Sequence, residues 1–343
     1  MKDSENIPFF DDLPTEPSEP SGFSFDQMVR CEECLRANPP TRVNCLYCGS
    51  ALPVTASASS LARPSLRPLE QWEQGFNNIL LGRRDDPEPA LVAQVASFLR
   101  QDTTTIERLM LAKTALPVAR AASMEEATLI ERKLNELGVE TVTVPDHDLH
   151  IDSSPPRRLR TLEFREPDRV TTQAGTQEEE SIPWAEVSLL IVGRLFVKQV
   201  ELRERKRRRS ENEILESSEF NTDVAVIDIY SESRIGSWRI MANSFDFSCL
   251  GESKGLLVGE NFPKLIKLIR DRTPEAEFND SYATLRQSLE LVWPSGKRVE
   301  AGGLRVRGSK YSTTEIITTS NEPQFTRYSR LCHYLKNRSL VQP

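Results

Sequence analysis

Four of the six cysteines fall in two tight pairs, Cys31/Cys34 and Cys45/Cys48, within the run CEECLRANPPTRVNCLYCG. A two-residue gap lets both sulfurs of a pair turn toward one ion while backbone amides of the knuckle offset their charge. Four thiolates then complete the tetrahedral shell of zinc. The ten residues between the pairs predict two small hairpins crossing over one metal, with Gly49 in the tight turn after the second pair. No open coordination position is left, which points to a structural ion rather than a hydrolytic one. A unit this small buries too little apolar surface to fold alone, so the metal is expected to supply on the order of 10 kcal/mol of its folding free energy. Rubredoxin-like iron and a pair of dithiol redox sites are the competing chemistries for the same knuckles.

The spacing C-x2-C-x3-N-x6-C-x2-C, with Asn38 as its Asn, resembles the zinc finger of the Ran-binding-protein type. That resemblance implies a zinc ribbon at 31–48 and a ligand that is either ubiquitin or single-stranded RNA. Val29 stands where the family has Trp, and Leu35-Arg36 stand where its Thr-Phe pair contacts ubiquitin.

Two other clusters carry chemistry. Asp146, His147, Asp148, His150 and Asp152 form DHDLHID, which has metal-ligating groups but no further partner in sequence and is read as a solvated acidic loop. Arg203, Arg205, Lys206, Arg207, Arg208 and Arg209 form a basic run. Its candidate anion-binding residues are Arg205, Lys206, Arg207, Arg208 and Arg209, which would grip phosphates of nucleic acid or anionic lipid. Glu201, Glu204, Glu211 and Glu213 interrupt it, so a protruding hairpin kept soluble by charge is the simpler reading. No GxSxG, Walker loop, GxGxxG or HExxH occurs and only three histidines exist; no catalytic residue is assigned and no enzyme is expected.

The 343 residues carry 44 Lys plus Arg against 51 Asp plus Glu, a formal net charge of −7. No global basic field therefore drives binding to nucleic acid or membrane. The most apolar stretch, Val187 to Val197, is too short for a membrane-spanning helix and is broken by Arg194. The acidic, proline-rich start lacks the pattern of a secretory signal, and clustered cysteines suit metal in a reducing compartment. A cytoplasmic location is expected, with Cys249 and Cys332 as ordinary thiols.

The elements that must position these residues read as a multi-domain α+β chain. Residues 1–27 have the composition of a disordered tail, 28–52 form the zinc ribbon, and 53–68 a linker rich in Ala, Ser and Pro. A helical segment follows at 69–114: Leu69, Trp72, Phe76, Ile79 and Leu80 fall at helical spacing, and helices are predicted at 90–100 and 104–113. Residues 115–152 predict a small α/β unit of strand, helix and strand. Its helix opens on a Ser123/Glu126 capping box and stops at Gly138. This unit resembles half of a ferredoxin-like fold, or the small α/β domains of the ribosomal stalk protein and Clp adaptor class.

From 158 to 273 alternation predicts seven strands and then the amphipathic helix NFPKLIKLIRDR. The order resembles the pleckstrin-homology superfold, which implies a seven-stranded sandwich or barrel with a C-terminal helix. A last helix at 280–293 and a partly ordered tail complete 274–343. The whole resembles uncharacterised bacterial zinc-ribbon proteins, which implies no activity. The expected function is a non-enzymatic, zinc-binding adaptor or regulator with a protein partner. The alternatives are a nucleic-acid binder using the ribbon and the hairpin 203–209, and a rubredoxin-like electron carrier.

Overall fold

A computed structural model of the chain describes residues 28–53, 64–70, 72–81, 86–112, 114–166, 169–174, 179–205, 213–232, 236–302 and 312–341. They belong to two units, Met1–Ser65 and Leu66–Pro343. The expected tail at 1–27, the linker residues 54–63 and the hairpin tip 206–212 lie outside the described residues.

In the first unit β1 (Val29–Arg30) pairs antiparallel with β2 (Ala37–Asn38), and Asn44 bridges Ala51. Its core consists of Val29, Cys31, Cys45 and Leu52, with Cys34 packed beside them.

The second unit opens on a correction. The segment expected as a helix at 69–81 contains instead β3 (Phe76–Leu80), the middle strand of a three-stranded sheet between β4 (Leu116–Ala121) and β5 (Thr141–Pro145). Adjacent Asn77 and Asn78 are poor helix formers, and the strand buries both with their amide nitrogens bonded. Asn77 Nδ2 donates to Val144 O at 3.0 Å and to Asp146 Oδ1 at 2.8 Å, and its Oδ1 accepts from Trp293 Nε1 at 2.9 Å. Asn78 Nδ2 donates to Ala127 O at 2.9 Å. A Cβ on Gly75 would lie 3.0 Å from Ala121 O and 2.6 Å from Leu69 Cδ1, so the entry to β3 requires glycine.

Helices α1 (Pro89–Leu99) and α2 (Thr103–Leu111) form as expected, α2 capped by Asp102, which accepts from Thr105 N. The strand, helix, strand pattern is present, with α3 (Met124–Glu136) between β4 and β5 and Gly138 at φ +76°. Ser123 Oγ accepts from Glu126 N at 3.3 Å, and the Glu126 carboxylate accepts from Leu66 N at 2.8 Å, fastening the start of the unit to this helix. DHDLHID is not a solvated loop throughout: Asp146 and Leu149 are buried in a 3-10 turn. The Asp146 carboxylate accepts from Gly75 N at 2.8 Å and from Arg120 Nε at 3.1 Å.

The expected seven-stranded barrel is replaced by an open sheet of nine strands. Along it run β13 (Gly296–Gly302), β14 (Ser312–Ser320), β9 (Val187–Arg205), β10 (Glu213–Ser231), β11 (Ser237–Met241), β6 (Arg157–Glu166), β7 (Arg169–Ala174) and β8 (Glu179–Pro183), while β12 (Glu277–Asn279) pairs parallel with β9. The 19-residue β10 runs unbroken through both EILESS and VAVIDIYS. Barrel closure fails because β14 occupies the edge of β9 from Val197 to Arg205 and carries β13 outward. Those two polar strands, and the 20-residue helix α6 (Glu322–Val341), arise from a segment expected to be a partly ordered tail.

Alternation at the sheet centre sends side chains into two cores. Leu189, Ile191, Val226 and Tyr230 face one cluster, which includes Tyr282 of α5 (Tyr282–Leu289) and Phe325 and Tyr328 of α6. Leu190, Ile227 and Ile229 face the other, with Phe262, Leu265 and Ile269 of α4 (Val258–Arg272). Both faces are therefore covered, and α4 packs on a face instead of closing a barrel end.

One charged pair crosses the first core. Asp228 and Arg239 are direct partners in the β10–β11 register, almost wholly inaccessible, and bidentate at 2.7 and 2.8 Å. Ser329 Oγ donates to Asp228 Oδ2 at 2.8 Å, and Arg239 Nη1 donates to Glu322 Oε1 and Thr326 Oγ1, both at 3.1 Å. Positions 322, 326 and 329 lie on one face of α6, so the pair fixes which face the helix presents. Burial opposes the Arg239 charge, but Asp228 and Glu322 outweigh it and raise its pKa.

Arg239→Met strands the Asp228 carboxylate in a dry sheet and is expected to cost about 3–5 kcal/mol, read as a lower urea midpoint. Asp228→Leu with Arg239→Met should recover much of that loss; a single-variant loss under about 1 kcal/mol would mean the pair is solvated. His333 stacks on Tyr230 at 4.3 Å, and burial, then Arg330 and Lys336, push its pKa down to about 4. The unfolded chain binds this proton near pH 6.5 and the folded chain resists it. Stability should thus fall as pH drops from about 6.5 toward 4, and His333→Gln should flatten urea midpoints across that window.

Candidate metal centre

Each cysteine pair sits on a turn of the same construction. Leu35 N donates to Cys31 O at 2.9 Å and Gly49 N to Cys45 O at 3.0 Å. Cys31 N donates to Arg36 O at 3.0 Å and Cys45 N to Ser50 O at 2.8 Å. The residue after each second cysteine is left-handed, Leu35 at φ +57° and Gly49 at +78°. Glycine adopts this freely, whereas leucine costs roughly 1–2 kcal/mol. The tight turn expected at Gly49 is thus present twice, once at a residue whose type gave no sign of it.

The turns bring all four sulfurs within 4.8 Å of one another, with Cys31 Sγ 3.5 Å from Cys48 Sγ and Cys34 Sγ 3.5 Å from Cys45 Sγ. Four thiolates around zinc at about 2.3 Å would lie about 3.8 Å apart, so the set fits a single ion. Among the described residues no other group of three or more His, Cys, Asp or Glu converges in this way.

Second contacts bias Cys45 and Cys48 toward the charged form, while at Cys34 the Arg36 amide is outweighed by burial and the neighbouring sulfurs, which push that thiol up. Buried Asn38 donates to Cys45 Sγ at 3.4 Å and to Arg36 O at 2.9 Å, while its Oδ1 accepts from Leu46 N at 2.8 Å. One side chain thereby ties the first knuckle to the second. Tyr47 N also donates to Cys45 Sγ at 3.4 Å, and Ser50 Oγ lies 3.2 Å from Cys48 Sγ. Burial opposes a Cys45 thiolate, but the Tyr47 and Cys48 amides, Cys34 and Asn38 bring its pKa down to about 6. Ser50 likewise lowers Cys48. Asn38 was visible in the motif; Ser50, two residues past the last cysteine, carried no signal of its role.

The remaining candidates belong to the larger unit or lie outside the described residues. Arg205 ends β9 opposite Glu213 and Ser312, and Lys206 to Arg209 lie outside the described residues. Asp146 is committed to Arg120. Cys249 and Cys332 stand apart, and burial pushes their thiols up to about 11 and about 12, which makes them poor nucleophiles and ligands. No helix among the described residues is long and apolar enough to cross a membrane. No protein family, curated protein or solved structure matches this chain.

Asn38→Ala removes both the bond to Cys45 Sγ and the tie between knuckles, and metal affinity should fall by about 10–100-fold. Competition against a chromophoric chelator measures it. Unchanged affinity would show that the asparagine does not support the ligands.

Proposed function

We propose that the amino-terminal unit holds one structural zinc ion and serves, in a cytoplasmic, non-catalytic protein, as a module for docking another protein. An all-sulfur shell supports zinc in a structural role, because the ion then has no position for water or substrate. Bound there, zinc would cross-link the two knuckles through Cys31, Cys34, Cys45 and Cys48.

The observation that carries the docking role is what the knuckles display. Leu35, Leu46 and Tyr47 are all more than half exposed, and the Arg36 guanidinium lies 4.7 Å over the Tyr47 ring. The Arg36–Tyr47 contact places the tips of the two knuckles side by side, with exposed Leu35 next to the cation in the chain and exposed Leu46 next to the ring. Apolar anchors with an arginine or a tyrosine among them are the usual make-up of protein-binding hot spots.

The test compares intact protein with Leu35→Glu/Tyr47→Glu in quantitative cross-linking from the native cell. The account predicts that the variant keeps stoichiometric zinc and loses about tenfold or more of one specific protein partner. A partner set unchanged by the double variant would refute docking at the knuckles. Salt-sensitive binding of single-stranded RNA, lost on neutralising Arg205 to Arg209, would instead favour the nucleic-acid reading. A coloured, iron-containing product would favour the electron carrier.

A further inference from the structure

Two close sulfur contacts at the centre join one C-x-x-C knuckle to the other. Cys31 meets Cys48 and Cys34 meets Cys45, each at 3.5 Å, so both short contacts run between knuckles. The two links are nested, spanning 17 and 11 residues. Cys48 is the exposed member of the four, while Cys31 and Cys45 are buried and Cys34 is intermediate. An oxidant arriving from solvent therefore meets Cys48 first, and the sulfur facing it is Cys31. We infer that the centre is a reversible thiol switch in which oxidation by a peroxide joins Cys31 to Cys48 and Cys34 to Cys45 and releases the metal. The inference rests on the metal-binding reading above.

The step balances as follows. Cys48 thiolate attacks one peroxide oxygen, the O–O bond breaks, hydroxide leaves and takes a proton, and Cys48 becomes a sulfenic acid. Cys31 thiolate attacks that sulfur, the S–O bond breaks, and a second hydroxide leaves as water after taking a proton. Two thiolates have given two electrons to one peroxide. Repeating the sequence at Cys34 and Cys45 consumes a second peroxide and removes the last thiolate ligands, so the divalent ion departs hydrated. A dithiol reductant returns the electrons and restores the ligands.

Nested cross-links between the knuckles would hold the two turns together after the ion has gone, as the metal held them before. Disulfides confined to Cys31–Cys34 and Cys45–Cys48 would leave the turns untied. The pairing therefore decides whether oxidation switches the module or destroys it, and Leu35, Leu46 and Tyr47 ride on those same turns.

The experiment uses the full chain, reduced, zinc-loaded and assayed for metal before any oxidant is added. Hydrogen peroxide is then titrated while released zinc is followed with a chromophoric chelator, and disulfides are mapped by non-reducing peptide mass spectrometry. The expected result is one zinc released per two peroxides consumed, links Cys31–Cys48 and Cys34–Cys45, and full rebinding after reduction by dithiothreitol. Zinc retained with free thiols, or links within each C-x-x-C pair, would overturn the switch while leaving the metal reading intact. Absence of metal from the reduced protein at the outset would overturn the metal reading and the switch with it.

Discussion

Four sulfurs within 4.8 Å of one another are a demand as much as an arrangement. Thiolates about 4 Å apart repel by about 1 kcal/mol per pair even at the dielectric constant of water, and more where burial lowers it. Four neutral thiols would gain little from converging, since S–H is a weak donor. The remaining interior of the unit is Val29, Pro40, Val43 and Leu52 beside the Asn38 side chain, too little to hold two turns together. A cation at the centre would turn the repulsion into the main attraction of the fold, and a ligand shell there would offset the cost of the Leu35 backbone, bent into a left-handed conformation.

The larger unit solves a different problem with a related device. Its nine-stranded sheet has apolar residues on both faces at the centre, which alone would let helices settle in several ways. Asp228 and Arg239 break that degeneracy on one face, because only the α6 face carrying Glu322, Thr326 and Ser329 satisfies them. On the other face α4 packs through Phe262, Leu265 and Ile269, and its last turn lays Arg270 over the Phe278 ring and Arg272 over the Phe164 ring.

The four-cysteine cluster was legible in the sequence because its information is local: residue type and a two-residue gap bring the sulfurs together without reference to the rest of the chain. So was the strand, helix, strand unit, whose cap and stop signals at Ser123 and Gly138 act within a few residues. What escaped was set by distant partners. Phe76 to Leu80 shows helical spacing, yet Asn77 and Asn78 find their partners at Val144, Asp146, Trp293 and Ala127, and only a strand reaches them all. Strands β13 and β14 have few apolar residues, Val299, Ile316 and Ile317 the largest, and gain their place because β14 pairs along β9 and β13 along β14, a long-range ladder that no window of sequence contains. Hidden in the same way was the acceptor role of Asp146, which looked like a loop residue and serves as the partner of Arg120.

The central claim is that one zinc ion is bound by these four sulfurs and nothing else. X-ray absorption at the zinc edge, on protein purified without added metal and with elemental analysis alongside, tests it most directly. The account predicts one zinc per chain and a first shell of four sulfur scatterers at about 2.3 Å. A shell containing nitrogen or oxygen, or a metal content well below one per chain, would contradict it.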